Sequence, residues 1–181
     1  MEPSLLHTLA LLRCTPAALS ALLGNLPETF TLADEGPYTW NAHDVVGHLI
    51  HCERTDWLPR ARHILQHGQT QPFPPFDRLG HVRAIHGKSL PQLLDEFAHQ
   101  RAVSLSDLAD LNLQPADLDR LGTHPTFGAV TLAQLLSAWA AHDLTHLHQI
   151  SRILAHPFHQ AVGPWSHYLG VMQCAGHSAA A

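Results

Sequence analysis

Residues 132–155 carry an apolar side chain at every third or fourth position, which places these side chains on one face of an α-helix. Thr131 and Gln134 have the spacing of a capping box, in which each side chain satisfies a free backbone N–H of the first turn. Pro157 follows the stretch and marks its end. A helix of this length has to bury its apolar face, so the rest of the chain is expected to pack around it.

Three other stretches show the same helical spacing. The first covers residues 3–23 and is expected to kink or restart at Pro16, because proline lacks a backbone donor. The second covers residues 41–68 and is expected to bend at Pro59, and the third covers residues 89–111. With the last helix, these stretches predict an all-α protein with the architecture of a four-helix bundle.

The connections between the helices are rich in proline and glycine and show no alternating strand pattern. The crossover at residues 68–87 is long, and it joins the second helix to the third. Residues 114–130 are expected to form turns. We expect residues 1–181 to form a single domain, in which the crossover and the segment around Trp165 and His167 shape a substrate pocket.

The charge and cysteine content exclude some classes of partner. The formal net charge is −5 with neutral histidines, and no run of Lys or Arg is present, which argues against binding to nucleic acid. Cys14, Cys52 and Cys174 show no paired spacing, as is typical of a reducing compartment. No apolar run approaches the roughly 18 residues that span a bilayer, and the first residues lack the basic start of a signal peptide. We therefore expect a cytoplasmic protein that does not bind membranes.

Two of the 17 histidines interrupt the apolar face of the last helix. His142 and His146 are four residues apart and share one face, where two imidazoles can bind the same metal ion. The alternative is a pair of core histidines with other partners, since an unpaired buried ring costs about 1–3 kcal/mol. A third ligand should come from the second helix, where His48 lies at the edge of the apolar face. His43 and His51 compete with it, but we expect both at the surface.

Other polar residues also lie near the apolar faces. Glu53 and Arg101 occupy core positions on the second and third helices, and we expect them to pair, as a structural ion pair or as a brace for the site. Asp143 is expected either to accept a hydrogen bond from an imidazole or to face solvent. Cys52 is either a soft metal ligand or a small core residue.

The order and spacing of these residues resemble those of the DinB-like (DinB/YfiT) superfamily, and the resemblance covers nearly the whole chain. One histidine lies on the second helix and an H-x-x-x-H pair on the fourth, with the long crossover between helices two and three. The segments that carry the resemblance are WNAHDVVGHLIHCE at 40–53, Trp57, Phe127-Gly128, Thr131-Leu132 and HDLTHLHQI at 142–150.

The resemblance implies a four-helix bundle in which His48, His142 and His146 hold a metal ion, often zinc or nickel, with an open position for water or substrate. It also implies frequent homodimers. Relatives include thiol-dependent S-transferases and isomerases that use bacillithiol, mycothiol or glutathione. Three neutral imidazoles leave a divalent ion with positive charge and room for a further ligand, which is the composition of a catalytic site.

The main functional hypothesis is a metal-dependent enzyme that transfers a low-molecular-weight thiol, such as bacillithiol, to an electrophilic small molecule through a metal-activated thiolate. One alternative is a metal-dependent hydrolase that uses a metal-bound hydroxide, although the sequence offers no clearly placed general base beyond Asp143 or Glu53. A second alternative is a non-catalytic, stress-related bundle that binds metal. The expected partners are a small-molecule substrate, a thiol cosubstrate and a second copy of the chain.

Overall fold

Four long helical segments form a bundle in the computed structural model, which describes residues 4–174. Helices α1 (Leu5–Leu23) and α3 (Ala42–Thr55) lie opposite each other, and each packs against α6 (Leu90–Asp110) and α7 (Leu132–Ala155). The all-α bundle and its crossover between the second and third segments are therefore confirmed. The elements are α1 (Leu5–Leu23), α2 (Glu28–Thr31), α3 (Ala42–Thr55), α4 (Trp57–His67), α5 (Gly80–Ile85), α6 (Leu90–Asp110), β1 (Leu121–His124), β2 (Gly128–Thr131), α7 (Leu132–Ala155) and α8 (Gly170–Gln173), with 3₁₀ turns at Pro115–Asp119, His156–Phe158 and Gly163–Tyr168.

The first helix was expected to kink or restart at Pro16. It does not restart, because a single helix runs from Leu5 to Leu23. Position 3 lies outside the described residues. Because Pro16 has no N–H, the carbonyl of Leu12 has no donor one turn later. Arg101 replaces that donor: its Nη1 lies 2.8 Å from the Leu12 oxygen. A side chain from α6 therefore satisfies the carbonyl that the proline leaves free.

The second segment is divided into two helices rather than bent within one. Its break falls at Asp56, between α3 and α4, three residues before Pro59. A proline ring clashes with the carbonyl four residues earlier, which here belongs to Thr55, the last residue of α3. The position of the proline therefore accounts for the position of the break.

The connection before α7 contains a short hairpin that the sequence did not predict. Strands β1 and β2 pair in antiparallel register from Leu121 opposite Thr131 to His124 opposite Gly128. Each strand has four residues, which is too short for an alternating pattern to stand out. Thr123 also bridges to Pro72, so the hairpin is tied to the crossover.

Two apolar clusters fill the bundle, one around Trp139 and Leu12 and the other around Phe97 and Ile150. Buried polar side chains separate them along the bundle axis. We call this group the polar layer; its members are Thr15, Glu53, Arg101, Ser104, Asp143, His146 and Gln149. A buried polar group is costly without a partner, so the contacts within this layer decide what the site can do.

Helix α1 differs from the expectation that no segment could span a bilayer. Its most apolar window of 18 residues has a mean hydropathy of 1.4, and 22% of that window is buried inside the protein. The helix also packs against α6 and α7 through residues such as Leu12 and Leu19. By length and composition it could cross a membrane, but this is weak evidence because core helices and N-terminal signal sequences share these properties.

Candidate metal centre

Three histidine side chains meet between α3 and α7, and we call them the histidine cluster. His48 is on α3, and His142 and His146 lie one turn apart on α7. The Nε2 atom of His142 lies 3.2 Å from Nε2 of His48 and 3.0 Å from Nε2 of His146. Within residues 4–174, no other group of three or more His, Cys, Asp or Glu side chains converges closely enough to hold one metal ion.

Neighbouring side chains fix the orientation of each ring. His146 donates its Nδ1–H to Oε1 of Gln149, 2.8 Å away, which leaves the Nε2 lone pair directed at the other two histidines. The ring of His48 packs against Trp40, with 5.0 Å between ring centroids, and the edge of His142 packs against Trp57 at the same distance. The three Nε2 atoms therefore converge because hydrogen bonding and packing hold the rings.

This arrangement fits a divalent metal ion. Metal–nitrogen bonds of about 2.0–2.1 Å at tetrahedral angles place neighbouring nitrogens roughly 3.3 Å apart, close to the separations in the histidine cluster. The contact to Gln149 leaves His146 Nε2 without a proton, and a single N–H on His142 can point at only one of its two neighbours, so at most one of the two N···N contacts can be a hydrogen bond in the neutral state. Zinc and nickel both accept imidazole ligands, and three protein ligands leave a coordination position for another molecule.

Burial keeps the cluster neutral. It is the main cause that lowers the pKa of His48 to about 3 and the pKa of His142 to about 2, and His146 lowers both pKa values further. Burial also lowers the pKa of His146, although its hydrogen bond to Gln149 opposes this effect. Neutral imidazoles keep the lone pairs that a metal ion requires.

The competing ligand candidates on α3 do not join the converging ligand atoms of the cluster. His51 is not a surface residue as expected: it is buried against α5, and its Nε2 donates to the Asp77 carbonyl at 2.9 Å. His43 is half-buried in the first turn of α3. Cys52 is a buried core residue whose Sγ lies 3.4 Å from Nε2 of His48, and burial raises the pKa of its thiol. It does not join the group of converging ligand atoms.

Beside the cluster lies a buried ion-pair network of Glu53, Arg101 and Asp143. The expected Glu53–Arg101 pair is confirmed, with 2.9 Å between Oε1 and Nη2. Asp143 was expected to accept from an imidazole or to face solvent, and both expectations are wrong. Its two oxygens accept from Nη1 and Nη2 of Arg101 at 2.7 and 2.9 Å, and the residue is fully buried. Trp139 Nε1 also donates to Glu53, at 2.9 Å.

A cavity of about 880 Å³ opens beside the histidine cluster, and His48 and His142 form part of its wall. The crossover supplies several lining residues, as expected, among them Phe76 and His81. The segment around Trp165 and His167 was also expected to shape the pocket, but it does not line this cavity. The hairpin does, through His124, Thr126 and Phe127.

The crossover approaches the cluster closely because two glycines remove side chains from the contact. A Cβ atom at Gly47 would lie 2.1 Å from Ile85 of α5, and a Cβ at Gly80 would lie within 2.6 Å of the His51 ring. The close approach of α5 to α3 places the buried His81 ring 6.2 Å from the His48 ring, centroid to centroid. Nδ1 of His81 donates to the Arg78 carbonyl at 3.1 Å, so its Nε2 is an acceptor in the neutral ring.

Sequence reasoning missed His81 and Gln149. Gln149 follows His146 by three residues and shares its helix face, so its spacing could have indicated the contact. His81 lies in a connection without periodicity, and only the packing of α5 against α3 brings it near His48.

Fold and site together define a class of protein: a four-helix bundle that brings three histidines together beside a cavity. The sequence profile of the DinB superfamily matches residues 11–150, and the chain belongs to this superfamily.

The structure is also similar to that of YfiT from Bacillus subtilis, which is described as a probable metal-dependent hydrolase with an unusual four-helix bundle topology. The TM-score is 0.72 at 16% sequence identity, over 88% of this chain and 94% of YfiT. At this identity the likeness concerns the fold. No curated protein matches the sequence significantly. Within the described residues, the three-histidine cluster is the feature that could hold a metal ion.

Proposed function

We propose that the protein is a metal-dependent enzyme that transfers a low-molecular-weight thiol to an electrophilic small molecule. The observation that carries the proposal is the convergence of three neutral Nε2 atoms at the wall of a large cavity. His48, His142 and His146 would hold the metal, as zinc or nickel. When bound, a divalent ion lowers the pKa of a thiol that reaches it and so supplies a nucleophile near neutral pH.

The protein supplies the positions of the reactants. Gln149 fixes the His146 ring, while Trp40 and Trp57 hold the other two, so the histidine cluster stays rigid as reactants enter. Cavities for small molecules have volumes of about 300–1,000 Å³, and about 880 Å³ can hold a thiol and an electrophile together. The sulfur forms a bond to the electrophilic carbon, the leaving group departs with the bonding electron pair, and the thiol proton passes to solvent.

The test is a thiol and electrophile screen on zinc- or nickel-loaded protein. Bacillithiol, glutathione and cysteine are each combined with 1-chloro-2,4-dinitrobenzene, and thioether formation is followed by absorbance and mass spectrometry. We expect one thiol to react faster than its uncatalysed rate, and His142→Ala to abolish the difference. No acceleration by metal-loaded protein with any thiol, across a panel of electrophiles, would contradict thiol transfer.

Hydrolysis is the second candidate, and His81 is the observation that favours it. Its Nε2 can accept a hydrogen bond from water on the cavity side of the histidine cluster, a role for which the sequence offered only Asp143 or Glu53, both of which pair with Arg101. YfiT is also described as a probable metal-dependent hydrolase. Ester and amide panels with the same metal-loaded protein separate the two reactions. Hydrolysis without added thiol, lost in His142→Ala, would select this candidate; metal binding without either reaction would select a binding role.

A further inference from the structure

At the far end of the cavity from the histidine cluster, Arg60 presents an unoccupied cationic edge. Its Nε lies 2.6 Å from Oδ1 of Asp56, one turn back on the same helix, and the ion pair is mostly buried. The guanidinium lies over the Phe73 ring, 5.2 Å from the centroid. Its Nη1 and Nη2 atoms make no hydrogen bond within residues 4–174. Asp56 pairs with Nε by charge, without a hydrogen bond to Oδ1, so the N–H groups on Nη1 and Nη2 are available to a planar anion.

His124 adds a second donor at the same end. The backbone N–H groups of Thr126 and Phe127 donate to its Nδ1 at 3.1 and 3.2 Å, which fixes the neutral tautomer with the proton on Nε2. Burial and the charge of Arg60 lower the pKa of His124, so the ring stays neutral. Both residues contact Phe73, whose ring lies 6.1 Å from the His124 ring. Arg60 and His124 both line the cavity, and both offer N–H donors.

The cavity wall also carries exposed apolar residues. Leu79, Val82 and Phe127 line the cavity and are each more than half exposed, and a group of exposed apolar residues at one cavity is typical of a binding site. The cavity also follows α3 from His48 past Cys52 to Asp56, a span of two helical turns, or about 12 Å.

We propose that Arg60 and His124 form an anion subsite that binds the carboxylate of an apolar small molecule extending along the cavity to the histidine cluster. The ligand class is an organic acid with an apolar body and a chain long enough to span on the order of 10 Å. That the histidine end is the reacting end rests on the proposed function. The anion subsite itself requires neither a bound metal nor turnover.

The test compares an acid with its uncharged analogue. Binding of 6-phenylhexanoate and of 6-phenylhexanamide is measured by isothermal titration calorimetry on the full chain at pH 7.5, once after removal of metal with a chelator and once with zinc. We expect the acid to bind at least about tenfold more tightly than the amide in both states, because charge-assisted hydrogen bonds to Arg60 favour the carboxylate.

Variants of Arg60 and His124 test whether these residues cause the preference for the acid over the amide. Arg60→Gln should reduce it to less than about threefold, Arg60→Lys should keep part of it, and His124→Phe should weaken acid binding while leaving amide binding unchanged. Arg62→Gln is the matched control, because Arg62 lies on the same helix but pairs with Asp107 on the outer surface at 2.8 Å. Circular dichroism confirms that each variant is folded.

Three results would overturn the subsite. The first is that the wild type binds the acid and the amide equally, or binds neither. The second is that Arg60→Gln still prefers the acid over the amide. The third is that the wild type prefers the acid only with zinc and that His142→Ala removes this preference. The last result would place the carboxylate on the metal. Failure of the metal hypothesis looks different: no zinc would bind, yet the acid preference of the metal-free protein would remain.

Discussion

The ion-pair network and the histidine cluster lie side by side in the bundle, but their buried polar atoms are partnered in different ways. In the network, Arg101 donates to Asp143, Glu53 and the Leu12 carbonyl, so donors meet acceptors. In the cluster, three Nε2 atoms face one another and at most one of the two N···N contacts can be a hydrogen bond, so donors are too few. The network pairs its charges within the chain, although Glu53 Oε2 and Arg101 Nε have no hydrogen-bond partner, whereas the cluster needs a cation from outside.

The chain places these two arrangements at adjacent positions. Cys52 beside the cluster precedes Glu53 of the network, and His142 of the cluster precedes Asp143 of the network. Two carboxylates face one guanidinium, so the network has a net charge of −1 when both are ionised. A divalent ion at the cluster would be attracted by that charge. We therefore expect that breaking the network destabilises the fold with or without metal, and that the cluster adds stability only when a metal is bound.

The largest effect is expected from breaking the network. Arg101→Met should lower the free energy of unfolding by about 3–5 kcal/mol, with or without metal, because it leaves two buried carboxylates uncompensated. Urea unfolding measures the change. Arg62→Met removes an exposed ion pair to Asp107 and should cost less than about 1 kcal/mol. A loss below 1 kcal/mol in Arg101→Met would show that the network does not stabilise the fold.

Breaking the cluster should have an effect that depends on metal. His142→Ala removes a proposed ligand, so the variant should lose the stabilisation that metal gives the wild type, about 2.7 kcal/mol at a metal concentration of 100 Kd. In the presence of a chelator, the wild type and His142→Ala should unfold at similar urea concentrations. His148→Ala, an exposed residue on the same helix, is the control and should keep the metal response. An equal loss with and without metal would make the cluster a structural element like the network.

Gln149 tests how the cluster is held in place. Gln149→Leu removes the acceptor of the His146 Nδ1–H and should weaken metal binding about 10–100-fold, measured by competition with a chromophoric chelator. Gln149→Glu keeps an acceptor at that position and should bind metal at least as tightly as the wild type. If Leu and Glu weaken binding equally, the hydrogen bond does not orient the ring.

The smallest effect concerns the contact of Arg101 with α1. Pro16→Ala restores a backbone N–H that can donate to the Leu12 carbonyl. The hydrogen bond from Arg101 to that carbonyl should then contribute less to the stability of the fold. In a double-mutant cycle, Arg101→Met should be milder in the Pro16→Ala background by about 1 kcal/mol. Strict additivity of the two substitutions would show that Arg101 does not replace the missing donor.

The bundle could be predicted because its signals are local. Capping boxes at Asn41 and Thr131 and apolar spacing of three or four residues identify helices without knowledge of their neighbours. The convergence of His48, His142 and His146 followed from the same periodicity together with the resemblance to the superfamily. The Glu53–Arg101 pair could be predicted because both charges occupy core positions.

The remaining features depend on contacts that are distant in sequence. Asp143 joins Arg101 because α6 and α7 face the same polar layer, which the sequence of α7 does not reveal. His81 reaches the cavity only through the close packing of α5 on α3. The uninterrupted α1 depends on a donor supplied from α6. In each case the partner is distant in sequence, so a local rule could not identify it.

The central claim is that the histidine cluster holds one metal ion. The most direct measurement is elemental analysis of the full chain, prepared without a histidine tag and dialysed against zinc or nickel, beside the alanine variants of His48, His142 and His146. We expect about one metal ion per wild-type chain and a loss of that ion in each folded variant. A wild type without metal after both ions have been offered, or variants that keep it, would contradict the claim.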